Sequence, residues 1–263
     1  MQNARGYANE QEKFQLKYDK GPHLTGGHYS SIHKGVQRQT KKPVIITTLF
    51  QQPVSVPDEV RILRKLTNVT GIVQLIDHYR VAIDTHCVIM EYFPSMTLRA
   101  YIATFGRLTE MQTKKVVCQL ISTIQSCSRL RILHRNIKPN NILIDRNSFN
   151  IKLTNFGSAC FVGKEPLNSK VFHAIAPPEY FIKKTYTVDG LNIWNIGLLL
   201  YKMLFQKHPF ETIHDIMFTP CYIPNECNVL SSDIQSLVLK TLDKDPTYRI
   251  TMSELKNHPW INK

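Results

Sequence analysis

The sequence predicts an α+β fold, a small strand-rich first part followed by a larger helical part. Up to about residue 90, apolar residues fall in short runs between turn residues: "FQLKYDKG", "SSIHKGVQ", "PVIITTLF" and "HCVIMEYF". That is the pattern of strands in a small antiparallel sheet. After Phe93 the apolar residues recur every three or four positions, the spacing of helices. At 263 residues the chain suits one domain with two lobes.

One main helix interrupts the first part. Ser55 can cap it, Asp58 and Glu59 suit the positive end of its dipole, and Val60, Leu63 and Leu66 form its apolar stripe. In the helical part, Thr109 and Gln112 form a capping-box pattern ahead of Val116, Val117, Leu120, Ile121 and Ile124. Ser231 likewise precedes Ile234, Leu237, Val238 and Leu242. The run "IWNIGLLLYKMLF", 193–205, is too short to span a membrane and reads as a buried helix. The expected organisation is an N-terminal extension over 1–13 and a domain over 14–263. The domain divides into a strand-rich lobe (14–90), a hinge (91–94) and a helical lobe (95–263), with ligand binding in the cleft between lobes.

Composition narrows the function classes. Hydrophobic residues make up 43% and charged residues 20%, ordinary for a globular chain, which sets disorder aside. The net charge of +13 is spread along the chain without a long basic run, so no specific nucleic-acid partner is expected. Cys87, Cys118, Cys127, Cys160, Cys221 and Cys227 lack metal-type spacing and read as free thiols in a reducing compartment. The N-terminus is polar, unlike a signal peptide. An intracellular protein, cytoplasmic or nuclear and off the membrane, is expected.

Four segments carry chemistry in a fixed order: "LHRNIKPNNILID" (133–145), "LTNFGSA" (153–159), "APPEY" (176–180) and "DKDPTYRITMSELKNHPW" (243–260). They resemble the catalytic loop, the D-F-G motif, the A-P-E motif and the closing helices of eukaryotic protein kinases, over about residues 14–262. "GPHLTGGHYSSIHKG", "VPDEVRILRKL", "GIVQLIDHY" and "ILIDRNSFNIKL" resemble PIM-like serine/threonine kinases in particular. The resemblance implies the two-lobed protein kinase fold: a small antiparallel β-sheet lobe with one main helix, and a larger helical lobe.

It also assigns positions, and several hold the wrong residue for phosphoryl transfer, which depends on positioning and charge neutralisation. Thr47 stands where the phosphate-clamping lysine is expected, leaving its partner position, Glu59, without an ammonium. Asn136 stands for the carboxylate that accepts the substrate proton, and an amide has no useful basicity at neutral pH. Asn155 stands for the metal-binding aspartate, so that Asn141 and Asn155 would offer magnesium two neutral amides. In the glycine-rich loop, Thr25 and Ser30 replace glycines, Gly27 remains, and Ile32 follows. Ile45 encroaches on the adenine site, which Met90, Glu91, Phe93 and Leu143 would otherwise line. Lys138 and Asn141 persist as loop-ordering groups; Ser30 and His28 occupy the places from which a loop lysine could substitute for the missing one, while Lys34 matches a position that is usually exposed in the family. His134, Phe156, Leu63, Glu179, Arg249, Trp194 and Gly197 match positions that hold the fold. Acidic residues expected to receive basic substrates are replaced by Thr97, Ala100, Pro139 and Asn140. Met90 and His258 are read as packing residues, and hydroxyls near 185–187 as possible phosphorylation sites.

The expected function is a catalytically inactive kinase homologue, a pseudokinase, acting through protein binding as scaffold, decoy or allosteric regulator of signalling. Its partners would be proteins, a kinase or a kinase substrate among them. No metal site or cofactor is expected, with ATP and magnesium binding weak or absent. The alternative is a weak or atypical serine/threonine kinase with residual ATP binding.

Overall fold

The computed structural model describes residues 2–50, 56–163, 165, 167–168, 171–224 and 230–262, with side chains from Tyr7 onward where their placement is given. The chain divides into two compact units, Met1–Pro94 and Ser95–Lys263.

The first unit contains α1 (Gln2–Lys17), β1 (Tyr18–Gly27), β2 (Ser30–Gln37), β3 (Pro43–Leu49), α2 (Asp58–Lys65), β4 (Leu75–Ala82) and β5 (Thr85–Glu91). All neighbouring strands are antiparallel, in the order β1-β2-β3-β5-β4. One face carries Tyr18, Val44, Ile46, Tyr79, Cys87 and Ile89, which with Phe14 of α1 form a single buried cluster. α1 packs against β4. Its Phe14 ring lies 6.1 Å from Tyr18 and 5.8 Å from Tyr79, within aromatic contact range. The Tyr18 and Tyr79 hydroxyls both donate to Asp77 Oδ2, at 2.5 and 3.1 Å.

Three expectations change here. The segment read as an extension plus the opening of a strand is one helix through Lys17, so the unit has two helices, not one. β4, not anticipated as a strand, forms an edge of the sheet; its register slips at two places and its burial is graded, which blurs a period-two pattern. Pro57, with no side-chain cap, occupies the N-cap of α2, while Ser55 lies outside the described residues.

The second unit contains β6 (Met96–Thr97), α3 (Leu98–Phe105), α4 (Glu110–Arg129), β7 (Ile132–Leu133), β8 (Ile142–Ile144), β9 (Ile151–Leu153), β10 (Cys160–Phe161), α5 (Pro178–Lys183), α6 (Val188–Phe205), α7 (Ile213–Phe218), α8 (Ser232–Thr241), α9 (Met252–Asn257) and α10 (Pro259–Asn262). The Thr109/Gln112 capping box starts α4, and Ser231 Oγ accepts from Ile234 N at the start of α8, both as the sequence predicts. α6 is buried nearly throughout. It approaches α8 so closely at Gly197 that a Cβ there would lie 2.7 Å from Thr241 Oγ1 and Leu242 Cδ2.

Two ionic anchors brace this unit. Arg249 Nη1 and Nη2 donate to the two oxygens of Glu179 at 2.9 and 2.8 Å, with both residues buried. Arg249 also donates to the carbonyls of Asp243, Gly190 and Lys244, which satisfies most of its fork. Glu110 accepts from Ser231 N at 3.0 Å, from Ser231 Oγ, and from Trp260 Nε1 at 2.8 Å, tying α4 to α8 and α10. The five described cysteines are free, and Cys227 lies outside the described residues. No helix among the described residues is long and apolar enough to cross a membrane.

Removing Arg249 strands the Glu179 carboxylate in the core, so Arg249→Met should cost about 3–5 kcal/mol, read from urea unfolding midpoints. At Glu110, burial pushes the carboxyl pKa up, but the hydrogen bonds from Ser231 and Trp260 outweigh it and leave the pKa lowered from 4.5. A lowered folded pKa contributes stability above the unfolded value, lost as pH falls toward the folded one. Glu110→Gln should therefore be less stable than the parent at pH 7, and the gap should shrink below about pH 4.5.

Candidate functional site

In the first unit, the sheet face opposite the aromatic cluster carries the predicted phosphate-clamp and adenine positions. Antiparallel register sets Ile32 across from Thr47, Lys34 across from Ile45, Ile45 across from Met90 and Thr47 across from Val88. Alternation along a strand then puts Ile32, Ile45, Thr47, Val88 and Met90 on one face. Thr47 is 6% exposed and its hydroxyl has no hydrogen-bond partner, a penalty of about 1–3 kcal/mol for a buried polar group. Met90 is buried on β5, as the packing reading expects. Glu91 accepts from Gln74 N at 2.8 Å, and Phe93 is half-buried just beyond β5. Glu59 is half-buried in the first turn of α2 and is not without an interaction partner. Lys34 Nζ lies 4.7 Å from the centre of the Tyr92 ring, a cation–π contact that engages it away from Thr47's position.

The hairpin joining β1 and β2 pairs Thr25 with Ile32, Gly26 with Ser31 and Gly27 with Ser30. Its two glycines differ. A Cβ on Gly26 would sit 2.6 Å from Ser30 O, so the hairpin itself demands that glycine. A Cβ on Gly27 would meet nothing within 4 Å, so packing does not demand it.

In the second unit, β7 delivers the loop that begins at His134. The His134 ring is fully buried and meets Phe156 edge-on, 4.6 Å between centres. Its Nε2 donates to Thr154 O at 3.0 Å while its Nδ1 accepts from Asn136 N at 3.3 Å. Both nitrogens are thus satisfied by one neutral tautomer, and burial lowers the pKa to about 4, against the Thr154 hydrogen bond. Arg135, at φ 57°, donates from Nε to Ser158 O at 2.6 Å.

Asn136 is 4% exposed; its backbone oxygen accepts from Asn141 Nδ2 at 2.7 Å, while its side-chain Oδ1 has no partner. Asn141 O accepts from Thr154 N at 3.0 Å, and Asn141 Oδ1 accepts from Asn155 Nδ2 at 3.2 Å. Sequence reasoning set these two amides side by side as neutral ligands; in the structure they bond to each other instead. Asn155 is left-handed, at φ 64° and ψ 70°, a conformation asparagine tolerates better than most side chains. Lys138 Nζ lies 5.1 Å from the centre of the Phe172 ring, a contact that sequence spacing could not reveal. Leu143 is half-buried on β8, between Thr97 and Lys152 in register.

The remaining predicted positions are structural or occupied. Thr97 caps α3 through a bond from Ala100 N, and Pro139 and Asn140 form a short 3-10 turn. Tyr186 is buried, while Thr187 is exposed at the N-cap of α6, where its Oγ1 accepts from Gly190 N at 3.0 Å. His258 is buried at the end of α9, where its Nδ1 accepts from Trp260 N. Among the described residues no three His, Cys, Asp or Glu side chains converge as a metal site.

Comparison with known proteins gives these observations a family. The chain is 25% identical over 278 residues to the serine/threonine-protein kinase prk-2 of Caenorhabditis elegans, covering 100% of this chain and 61% of that protein. It is 26% identical over 274 residues to the serine/threonine-protein kinase pim-2 of Danio rerio, covering 96% and 87%. It is 31% identical over 263 residues to the SNF1-related protein kinase catalytic subunit alpha KIN12 of Arabidopsis thaliana, covering 93% and 51%. The chain thus spans about three fifths of the worm protein and half of the plant one. The protein kinase domain profile matches residues 18–261, and the five-stranded antiparallel sheet with its helices is the α+β architecture of that domain. The chain belongs to the protein kinase domain family.

Proposed function

We propose that this chain is a pseudokinase, a kinase fold that acts by binding other proteins and not by transferring phosphate. The observation that carries the reading is the hydrogen bond from Asn155 Nδ2 to Asn141 Oδ1. At the two positions matching magnesium ligands, the side chains are neutral and satisfy each other. Magnesium prefers carboxylate and water oxygens, so this donor set does not fit the ion.

The same logic extends to the nucleotide and the base. Thr47 offers no cation to a phosphate, and Asn136 cannot take a proton from a substrate hydroxyl. General-base help of roughly 10²–10⁴ in rate is missing at that position. Lys138 and Lys34 are turned to aromatic rings. ATP and magnesium binding are accordingly weak or absent, and the useful property of the fold is its surface. Partners are proteins, a kinase or a kinase substrate fitting the scaffold, decoy or regulator role in signalling, inside the cell.

A second reading, a weak or atypical serine/threonine kinase, draws on the relatives' names as kinases, on retained Lys138 and Asn141, and on open space at Gly27. Calorimetric or fluorimetric melting separates the two. The pseudokinase reading expects no rise in Tm at millimolar ATP, with or without magnesium or manganese. Transfer of labelled phosphate by the purified chain, abolished by Lys138→Ala, would sink it. If charge alone is missing, the triple variant Thr47→Lys, Asn136→Asp, Asn155→Asp should gain a magnesium-dependent Tm rise with ATP that no single substitution gives. A triple variant that stays indifferent to ATP places the block elsewhere, with Ile45 the next position to reduce.

A further inference from the structure

His23 on β1 and His33 on β2 are partners in register across the strands. Their rings are 5.1 Å apart between centres and inclined at 74°. His23 is exposed and His33 half-exposed, so both rings are within reach of a solute. The pairing slips on either side of His23, between Lys20 and His23 and between His23 and Thr25. Bulges of this kind re-aim a side chain.

We propose that His23 and His33 form a two-histidine site for a divalent first-row transition cation, zinc foremost. Imidazole is a ligand type suited to zinc, copper and nickel. Two imidazoles on a tetrahedral zinc, with Zn–N about 2.0–2.1 Å, place their ring centres roughly 5 Å apart. The observed separation of 5.1 Å matches that spacing, so small rotations of two solvent-reached rings would bring one nitrogen of each onto a shared ion, with water in its remaining positions.

Neighbouring groups prepare both rings. His33 Nδ1 lies 3.2 Å from Ser31 Oγ. With Nδ1–H donated to that oxygen, Nε2 is left as the ligating nitrogen, the outer-shell arrangement common to metal-bound histidines. A Cβ on Gly26 would come within 3.3 Å of His23 Nε2, so the glycine keeps that nitrogen clear. Burial, then the Lys20 ammonium and His23, lowers the His33 pKa, so protons compete little for that ring, while the Lys20 charge repels a bound cation as it repels a proton. The Lys20 ammonium itself donates to Thr48 Oγ1 at 3.3 Å.

The other histidine pair makes the contrast. His78 and His86 stack at 8° with His78 Nε2 and His86 Nδ1 2.9 Å apart, one nitrogen of each ring consumed within the pair. Zinc on His23 and His33 would staple β1 to β2 at the hairpin described above. This holds whether or not the chain binds ATP.

The test is titration of the full chain with zinc chloride in metal-free buffer, by calorimetry and by melting. The expected result is one equivalent bound, a Tm that rises with zinc concentration and returns with a chelator, as for any ligand selective for the folded state. His23→Gln and His33→Gln should each weaken binding at least tenfold, and Ser31→Ala about tenfold. His78→Gln should leave it intact. Because His23 is exposed, its variant keeps the fold, and loss of zinc binding there cannot be assigned to unfolding. The proposal is overturned by the absence of both heat and Tm shift up to about 100 μM zinc, or by unchanged affinity in the His23→Gln/His33→Gln double variant.

Discussion

The loop from His134 to Asn155 depends on hydrogen bonds between neutral groups. His134 bonds Thr154 O and Asn136 N through one neutral tautomer, Asn141 ties Asn136 O to Thr154 N, and Asn155 closes onto Asn141. Two links are local, from Asn136 N to His134 and from Asn141 to Asn136 O, and three reach across to Thr154 and Asn155, so together they tie the loop to the segment that follows β9. Two carboxylates at the Asn136 and Asn155 positions would place like charges around Asn141. Their mutual repulsion and desolvation would have to be offset by a cation. Amides keep nearly the same shape and remove that requirement.

The buried ion pair of Glu179 and Arg249 answers a different need. It is bidentate and surrounded by carbonyls that take up the remaining guanidinium donors, so its desolvation is matched by contacts. Charge has been kept where it fixes α5 against the segment that carries Arg249. At the positions matched to the family's phosphate- and metal-handling residues, the side chains are the neutral Thr47, Asn136 and Asn155.

Much of this was legible in the sequence because it rests on local rules. The Thr109/Gln112 capping box, the Ser231 cap, the apolar stripe of α4, the buried α6 and the spacing of the motif residues all follow from side-chain type at fixed offsets. α1 was not legible: its sequence is polar, includes Gly6, and buries Phe14 chiefly against Tyr18 and Tyr79, residues placed by the tertiary fold. β4 was hidden by its register slips. At the site, residue identities could be read, but not their engagements. The Asn155–Asn141 bond, the Lys138–Phe172 contact and the Lys34–Tyr92 contact are each chosen by three-dimensional proximity among several possible partners.

Among the described residues three buried side-chain oxygens lack a hydrogen-bond partner, Thr113 Oγ1 in α4 and two at the matched motif positions, Thr47 Oγ1 and Asn136 Oδ1. Each stranded polar group costs about 1–3 kcal/mol. Valine at 47 would keep the β-branch and remove the stranded hydroxyl. At 136, the side chain's buried carbonyl contributes no bond of its own, while the backbone N–H and O of the same residue hold His134 and Asn141. The backbone at 136 therefore does the structural work, and the side chain only has to fit the space. An amide fits that space without the charge of a carboxylate, which is why the loop can keep a catalytic outline with neutral groups at its chemical positions.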